Sequence, residues 1–273
     1  RIVSQTLLKD LSILDPIVNS DPFDFYSLLH REAPVYQIPE TGAYVVTKYK
    51  DLKQVLRDYQ SFTNDVKVTD QGPFPGLHQA VLRDGGGWEH VQTLQRTDPP
   101  THDRYRALVD RVFSIKRVRA MTPHLDDVVN ELIDKFIDNE RCDFSNEFAM
   151  AMPGIIVAEQ LGLEHKKVST FKKWADAMLG ASYSPTATQS EIRRDAETEL
   201  EAQKFLADVF EDRKSNPRED LISAMVNAYG VDEQPLDMSE LQNVVRQLIT
   251  GGFETTQSAI NHGMWVLIRM PEV

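Results

Sequence analysis

Gly251-Gly252-Phe253-Glu254-Thr255-Thr256 lies in the middle of a stretch, Met238 to Met270, that otherwise reads as an amphipathic helix. Leu241, Val244, Val245, Leu248, Ala259, Val266 and Met270 recur at helical spacing along one apolar stripe. Gly252, Thr255, Thr256 and Gly263 fall on the same stripe. A glycine inside a helix costs about 1 kcal/mol relative to alanine, so two in succession need compensation. A core-facing helix emptied of bulk at its middle reads as one that packs against something other than a side chain. The Thr255 hydroxyl can bond the Gly251 carbonyl one turn earlier and compete with the helix ladder. With a glycine pair, such a bond is a cause of local kinks. The expectation is a bent helix with a small groove, a hydroxyl inside it, and Glu254 beside it as an acid able to relay protons. A plain core helix with a packing glycine pair and a back-bonded threonine would carry the same letters.

A second segment, far upstream, narrows the choice. Leu94-Gln95-Arg96-Thr97-Asp98-Pro99-Pro100-Thr101-His102-Asp103-Arg104-Tyr105-Arg106 leads into Ala107-Leu108-Val109 and Val112-Phe113. Asp98 suits an N-cap and Pro99 a first helical turn. Tyr105, Leu108, Val112 and Ile115 then form an apolar face. His102 and Arg106 share one flank of it, Arg104 and Arg111 the other. A histidine and an arginine stacked one turn apart can grip one anion, the guanidinium forking onto a carboxylate. An ordinary helix with solvated arginines would look the same in isolation.

Together the two segments resemble a known family. Gly-Gly-Phe-Glu-Thr-Thr resembles the small-Gly-x-acid-Thr signature of the haem-thiolate monooxygenases, the P-450 cytochromes. Asp-Pro-Pro-x-His-x-x-x-Arg resembles that family's segment for a haem propionate, and it precedes the glycine-threonine helix in the family's order. The likeness covers nearly the whole chain. Asp21 to Pro34 resembles the first helix, with Glu32-Ala33-Pro34-Val35 as its ending. Tyr36 to Thr47, broken at Glu40-Thr41-Gly42, reads as a hairpin, and Tyr49 to Arg57 as a helix. Pro123 to Ile137 and Phe148 to Leu161 read as apolar-faced helices, the second closed by Gly162. Leu267 to Glu272 resembles the "HPE" ending of the next element, with Met270 in the histidine's place.

The resemblance implies a mainly α fold with a small β portion near the N-terminus, an incomplete cytochrome P-450. It implies one domain over 1–273: 1–65 mixed α/β with the hairpin, 66–97 a substrate-side loop region, and 98–273 helical, ending just after the long central helix. It implies haem b (iron protoporphyrin) as cofactor and insertion of one oxygen atom of O2 into a small apolar organic substrate. His102 and Arg106 would anchor a propionate, with Leu94 also at the cofactor. Gly251 and Gly252 would leave room for dioxygen, which Thr255 would hydrogen-bond while Glu254 helps relay protons. The family's cysteine loop and its preceding Glu-x-x-Arg helix are absent from these 273 residues. The single cysteine, Cys142, stands in the wrong context and reads as a structural or surface thiol, so no metal ligand is assigned.

Composition agrees. A length of 273 residues is ample for a large core. No run of 18 apolar residues exists and residues 1–5 lack a signal pattern; membrane-anchored members of the family carry such a segment, so the chain resembles the soluble bacterial type, and with its single cysteine a cytoplasmic location is the expectation. A net charge of −12 argues against nucleic-acid binding. Arg104 to Arg119 is locally basic, and by resemblance a ferredoxin-type electron donor would dock near Arg104 and Arg111. The pocket would be roofed by Val66 to Trp88 and by Ala177 to Gln189. Phe74, Leu77, Trp88, Met178, Leu179 and Phe253 are its apolar candidates, with Tyr183 and Pro185 in the second segment. Gly85-Gly86-Gly87 reads as a flexible turn, and no phosphate loop or paired-histidine zinc spacing is present. Two alternatives remain: an inactive helical ligand-binding fragment, and a peroxide-using peroxygenase.

Overall fold

In the computed structural model the described residues are 8, 11–65, 73–163, 168–180, 184, 186–227, 234–270 and 272, without the Val112 side chain. Residues 1–5, Val66, Tyr183, Pro185 and Pro271, named above, lie outside them. The chain divides into two compact units, Arg1–Asn64 and Asp65–Val273.

The first unit holds α1 (Pro16–Ser20), α2 (Phe23–Glu32), strands β1 (Val35–Gln37) and β2 (Tyr44–Val46), and α3 (Tyr49–Val55). The Asp15 carboxylate caps α1 by accepting from the Ile17 amide, with Pro16 at the first helical position. Phe25, Leu28 and Leu29 form the buried face of α2. The strands pair antiparallel, Tyr36 opposite Val45. Gly42 closes their turn at φ 72°, where a Cβ would be strained.

The second unit is helical: α4 (Leu77–Asp84), a 3-10 turn (Leu94–Arg96), α5 (Thr101–Val112), α6 (Ile115–Ala120), α7 (Thr122–Asp134), a π-helical segment (Ser145–Met150) running into α8 (Ala151–Gln160), α9 (Val168–Leu179), α10 (Gln189–Ser215), α11 (Leu221–Asn227) and α12 (Met238–Arg269). The mainly α fold with a small N-terminal hairpin is as expected. Both long helices start with reciprocal capping boxes, Thr188 with Glu191 and Asp237 with Glu240, which satisfy otherwise orphaned amides.

The core gathers around the first half of α12. Leu241, Val244, Val245 and Ile249 pack with Phe171 and Trp174 of α9, Leu206 and Phe210 of α10, and Leu221 and Ile222 of α11. Each such side chain contributes on the order of 1.5–3 kcal/mol by leaving water. From Glu254 onward α12 has no fully buried residue, and Trp265, Leu267 and Ile268 are exposed. Ala259, Val266 and Met270 of the expected apolar stripe are likewise on the surface.

Some boundaries differ from the sequence reading. The N-cap of α5 is Pro100, without a side-chain bond, so Asp98 does not fill that position. The helix ends at Val112, which puts Ile115 in α6, 74% exposed rather than on a shared apolar face. The stretch expected as a loop to Trp88 contains α4, which lies on α10 and buries His78 and Leu82. The Gly85–Gly87 turn is a close contact, not a flexible link: a Cβ on Gly85 or Gly87 would come 2.2 or 2.5 Å from Leu200 side-chain atoms.

Candidate active site

The helix α12 runs unbroken through the glycines, and its two neighbours face different surroundings. A Cβ on Gly251 would meet nothing within 4 Å, whereas one on Gly252 would lie 2.9 Å from Val157 Cγ2 of α8. Gly252 therefore lets two helices approach, and Gly251 keeps an outward face clear. The next residue, Phe253, is fully buried, and a Cβ on Gly154 of α8 would come 2.6 Å from its ring. Phe253 is thus a core anchor and not a pocket wall. An apolar cavity of about 430 Å³ flanks the pair, walled by Phe113, Met121, Ile156, Val157, Leu161 and Leu248.

Immediately beyond this anchor, Glu254 and Thr255 are exposed. The Thr255 hydroxyl donates to the Gly251 carbonyl, as its spacing predicted. That bond fixes the hydroxyl proton inward and leaves the oxygen lone pairs on the open side. A small residue, a hydroxyl and a carboxyl therefore share an uncovered stretch of an otherwise well-anchored helix.

The helix α5 is fastened to the first turn of α12. Arg104 Nη1 and Nη2 donate to Glu240 Oε1 and Oε2 at 2.6 and 3.2 Å, and the Tyr105 hydroxyl donates to Oε1 at 2.7 Å. Burial would raise the Glu240 carboxyl, yet the Arg104 and Tyr105 bonds outweigh it and hold the group below its usual range. Burial and the Glu240 contact push the Tyr105 phenol up. Arg104 is therefore occupied within the chain, which removes it from the expected docking surface. Arg111 is exposed near the end of α5.

His102 and Arg106 lie on the flank of α5 turned away from Arg104. Arg106 Nε is 3.0 Å from Asp110 Oδ1 with its side chain 58% exposed, and His102 Nδ1 is 3.5 Å from Asp103 Oδ1. Both side chains are accessible to an added anion. Glu240, which holds α5, precedes Gly251 by about 16 Å of helix at 1.5 Å per residue.

Among the remaining candidates, Phe74, Leu77 and Trp88 are half-buried and Leu179 is exposed. Leu94 packs against the core from the 3-10 turn, and Met178 belongs to the core itself. Cys142 is exposed and unbonded. A group that sequence reading passed over is buried nearby: His78 and His90 meet Glu199 of α10, with Arg246 of α12 beside them. Their separations along the chain exceed any local motif, so only the packing of α4 on α10 could reveal them.

This fold is that of a helical protein built round one long helix, with an open small-acid-hydroxyl face flanking its core anchor. The sequence pattern of the family described as Cytochrome P450 matches residues 19–273, and the chain belongs to that family. It is 29% identical over 269 residues to the 6-deoxyerythronolide B hydroxylase of Saccharopolyspora erythraea, covering 94% of this chain and 64% of the relative. The cytochrome P450 CYP109Q5 from Chondromyces apiculatus superposes with a TM-score of 0.77 at 26% identity, covering 97% of this chain and 63% of that one. Cytochrome P450 CREJ in complex with (4-ethylphenyl) dihydrogen phosphate gives 0.80 at 26%, covering 92% and 62%. The chain thus spans just under two thirds of the length of the relatives it matches.

Proposed function

We propose that the protein is a haem-dependent monooxygenase that inserts one oxygen atom of O2 into a small apolar organic substrate, and that this chain carries its distal wall and propionate grip. The observation that carries the reading is the uncovered face of Gly251, Glu254 and Thr255 on a helix otherwise fixed in the core. Haem b, the cofactor of the family, fits the residues present: Gly251 on α12 offers space without a side chain, and His102 and Arg106 on α5 offer accessible nitrogen donors for carboxylates. When bound, haem supplies the activation of oxygen.

The chain's own residues supply placement and protons. Thr255, its proton held by the Gly251 carbonyl, presents an acceptor oxygen and becomes a donor when that bond turns outward. Glu254, exposed beside it, moves protons between solvent and the hydroxyl. Phe74, Leu77, Trp88 and Leu179 are proposed on the substrate side. One relative is named for 6-deoxyerythronolide B, and one structural neighbour holds an aryl phosphate. So wide a range leaves terpenoid, steroid, fatty acid and aromatic classes open. A ferredoxin-type donor docking near Arg111 and a cytoplasmic location complete the proposal. No helix among the described residues is long and apolar enough to cross a membrane, which is compatible with it.

The test is Thr255→Ala in the complete enzyme. Electron consumption should continue while product per electron falls steeply, a positioned proton donor contributing about 10²–10⁴-fold to its step. Unchanged coupling would remove Thr255 from this role. Loss of the thiolate-type Soret band in a reduced, carbon-monoxide-treated sample would favour a silent ligand-binding protein.

A further inference from the structure

We propose that Glu199 is a positioning residue, the single anion by which residues 77–93 are strapped to α10 and α12. Its reading as a fastening for the substrate roof rests on the proposed function; the strap itself does not.

Groups from separate elements converge on this carboxylate. His78 Nε2 of α4 lies 2.9 Å from Oε2, and His90 Nε2 of the following loop lies 2.6 Å from Oε1. Arg246 Nε of α12 is 3.2 Å from Oε1, and its Nη2 donates to the Met178 carbonyl at the end of α9. Both histidines, Glu199 and Arg246 are buried or nearly so. The donor and acceptor roles of the His90 ring nitrogens follow from Gln79. The His90 backbone amide can only donate, so the Gln79 atom 2.7 Å from it is the carbonyl oxygen. Gln79 Nε2 then faces His90 Nδ1 at 2.9 Å, which makes Nδ1 an acceptor and places the proton on Nε2, aimed at Glu199.

Two histidines and a carboxylate are also a zinc ligand set, with ligand atoms within 4.8 Å of one another. The surroundings argue against a metal. A divalent ion would share one carboxylate with a buried guanidinium, leaving positive charge uncompensated. A metal-bound His90 would also need Nδ1–H as a donor, where Gln79 presents another donor. Arg246 and Glu199 cancel in charge, and histidine donors complete the carboxylate.

A second tie lies one turn along α10. Gln203 Oε1 accepts from the Trp88 amide at 2.8 Å and its Nε2 donates to the Trp88 carbonyl at 2.9 Å. Between them, Leu200 meets Gly85 and Gly87, whose missing side chains permit the approach. One face of α10 is thereby committed to residues 77–93. The segment opens by breaking at both Glu199 and Gln203 or by moving together with α10.

Hydrogen exchange on the chain tests this without haem or turnover. His78→Ala and His90→Ala, which leave the Glu199–Arg246 pair in place, should each raise amide exchange across 77–93 about tenfold, the loss of roughly one buried hydrogen bond. Exchange in α8 and the first half of α12 should stay unchanged, and His78→Gln, which restores an Nε2 donor, should restore protection. In the haem-loaded complete enzyme, association and dissociation of 4-phenylimidazole should quicken together with affinity unchanged. Unaltered exchange at 77–93, a uniform rise over the whole chain, or a shift in affinity at constant rates would overturn the proposal. Stoichiometric Zn2+ binding that His78→Ala abolishes would overturn it in favour of a metal centre.

Discussion

Gly251→Ala and Gly252→Ala should change stability in opposite directions. Both sit mid-helix in α12, where alanine is favoured over glycine by about 0.8–1 kcal/mol. At Gly251 the new methyl meets nothing within 4 Å, so the full gain of about 1 kcal/mol should appear. At Gly252 it lies 2.9 Å from Val157 Cγ2, a methyl on a β-branched side chain that has little rotamer freedom in a helix. Relieving that contact requires α8 and α12 to separate, and overpacking of this kind costs about 1–3 kcal/mol. The net expectation at Gly252 is a loss of up to about 2 kcal/mol. For a unit of this size each kcal/mol moves the midpoint by about 2–4 °C, so thermal unfolding should place the two variants on either side of the parent. If both shifted in the same direction by similar amounts, the assignment of Gly252 to packing and Gly251 to open space would be wrong.

Other outcomes follow from the same packing. Gly154→Ala should cost about 1–3 kcal/mol against the Phe253 ring, and combining it with Phe253→Leu should recover part of that in a double-mutant cycle by chemical denaturation. Burial pushes the Glu199 carboxyl up, and its His90, Arg246 and His78 partners outweigh that and hold it well below the usual range; Glu240 is also lowered. Groups depressed in the folded state stabilise it above their ordinary value near 4.5, and that stability drains as pH falls through their folded values. Circular dichroism against pH should show loss of structure below about 4.5, with Glu240→Gln flattening the acid limb. Charge reversal at Arg111 should slow reduction by a ferredoxin-type donor and weaken its salt dependence, while reversal at Arg104 should instead destabilise α5 against Glu240.

What could be read from the letters was periodic or local. The stripe of Leu241, Val244 and Val245 gave the anchored half of α12, the Thr255 spacing gave its back-bond, and Gly162 marked the end of α8 at φ 72°. Three things escaped for physical reasons. The short α4 has only 8 residues and owes its helix to a neighbour more than a hundred positions away, so its own pattern is faint. Phe253 carries the same letter whether it faces a pocket or Gly154, and only the approach of α8 decides. Arg104 looked like a surface cation because its partner, Glu240, is set by tertiary packing and not by helical spacing.

The contrast between the two halves of α12 bears on accuracy at Thr255. At 1.5 Å per residue the helix is about 48 Å long, and Phe253 is its last fully buried side chain. If that anchor acts as a fulcrum, a tilt of about 5° displaces Thr255, about 3 Å away, by only some 0.3 Å, but moves Arg269, about 24 Å away, by about 2 Å. The outer arm, tied to the π-helical segment where Asn261 Nδ2 donates to Ser145 Oγ, swings only with that segment, while the hydroxyl stays near the pivot.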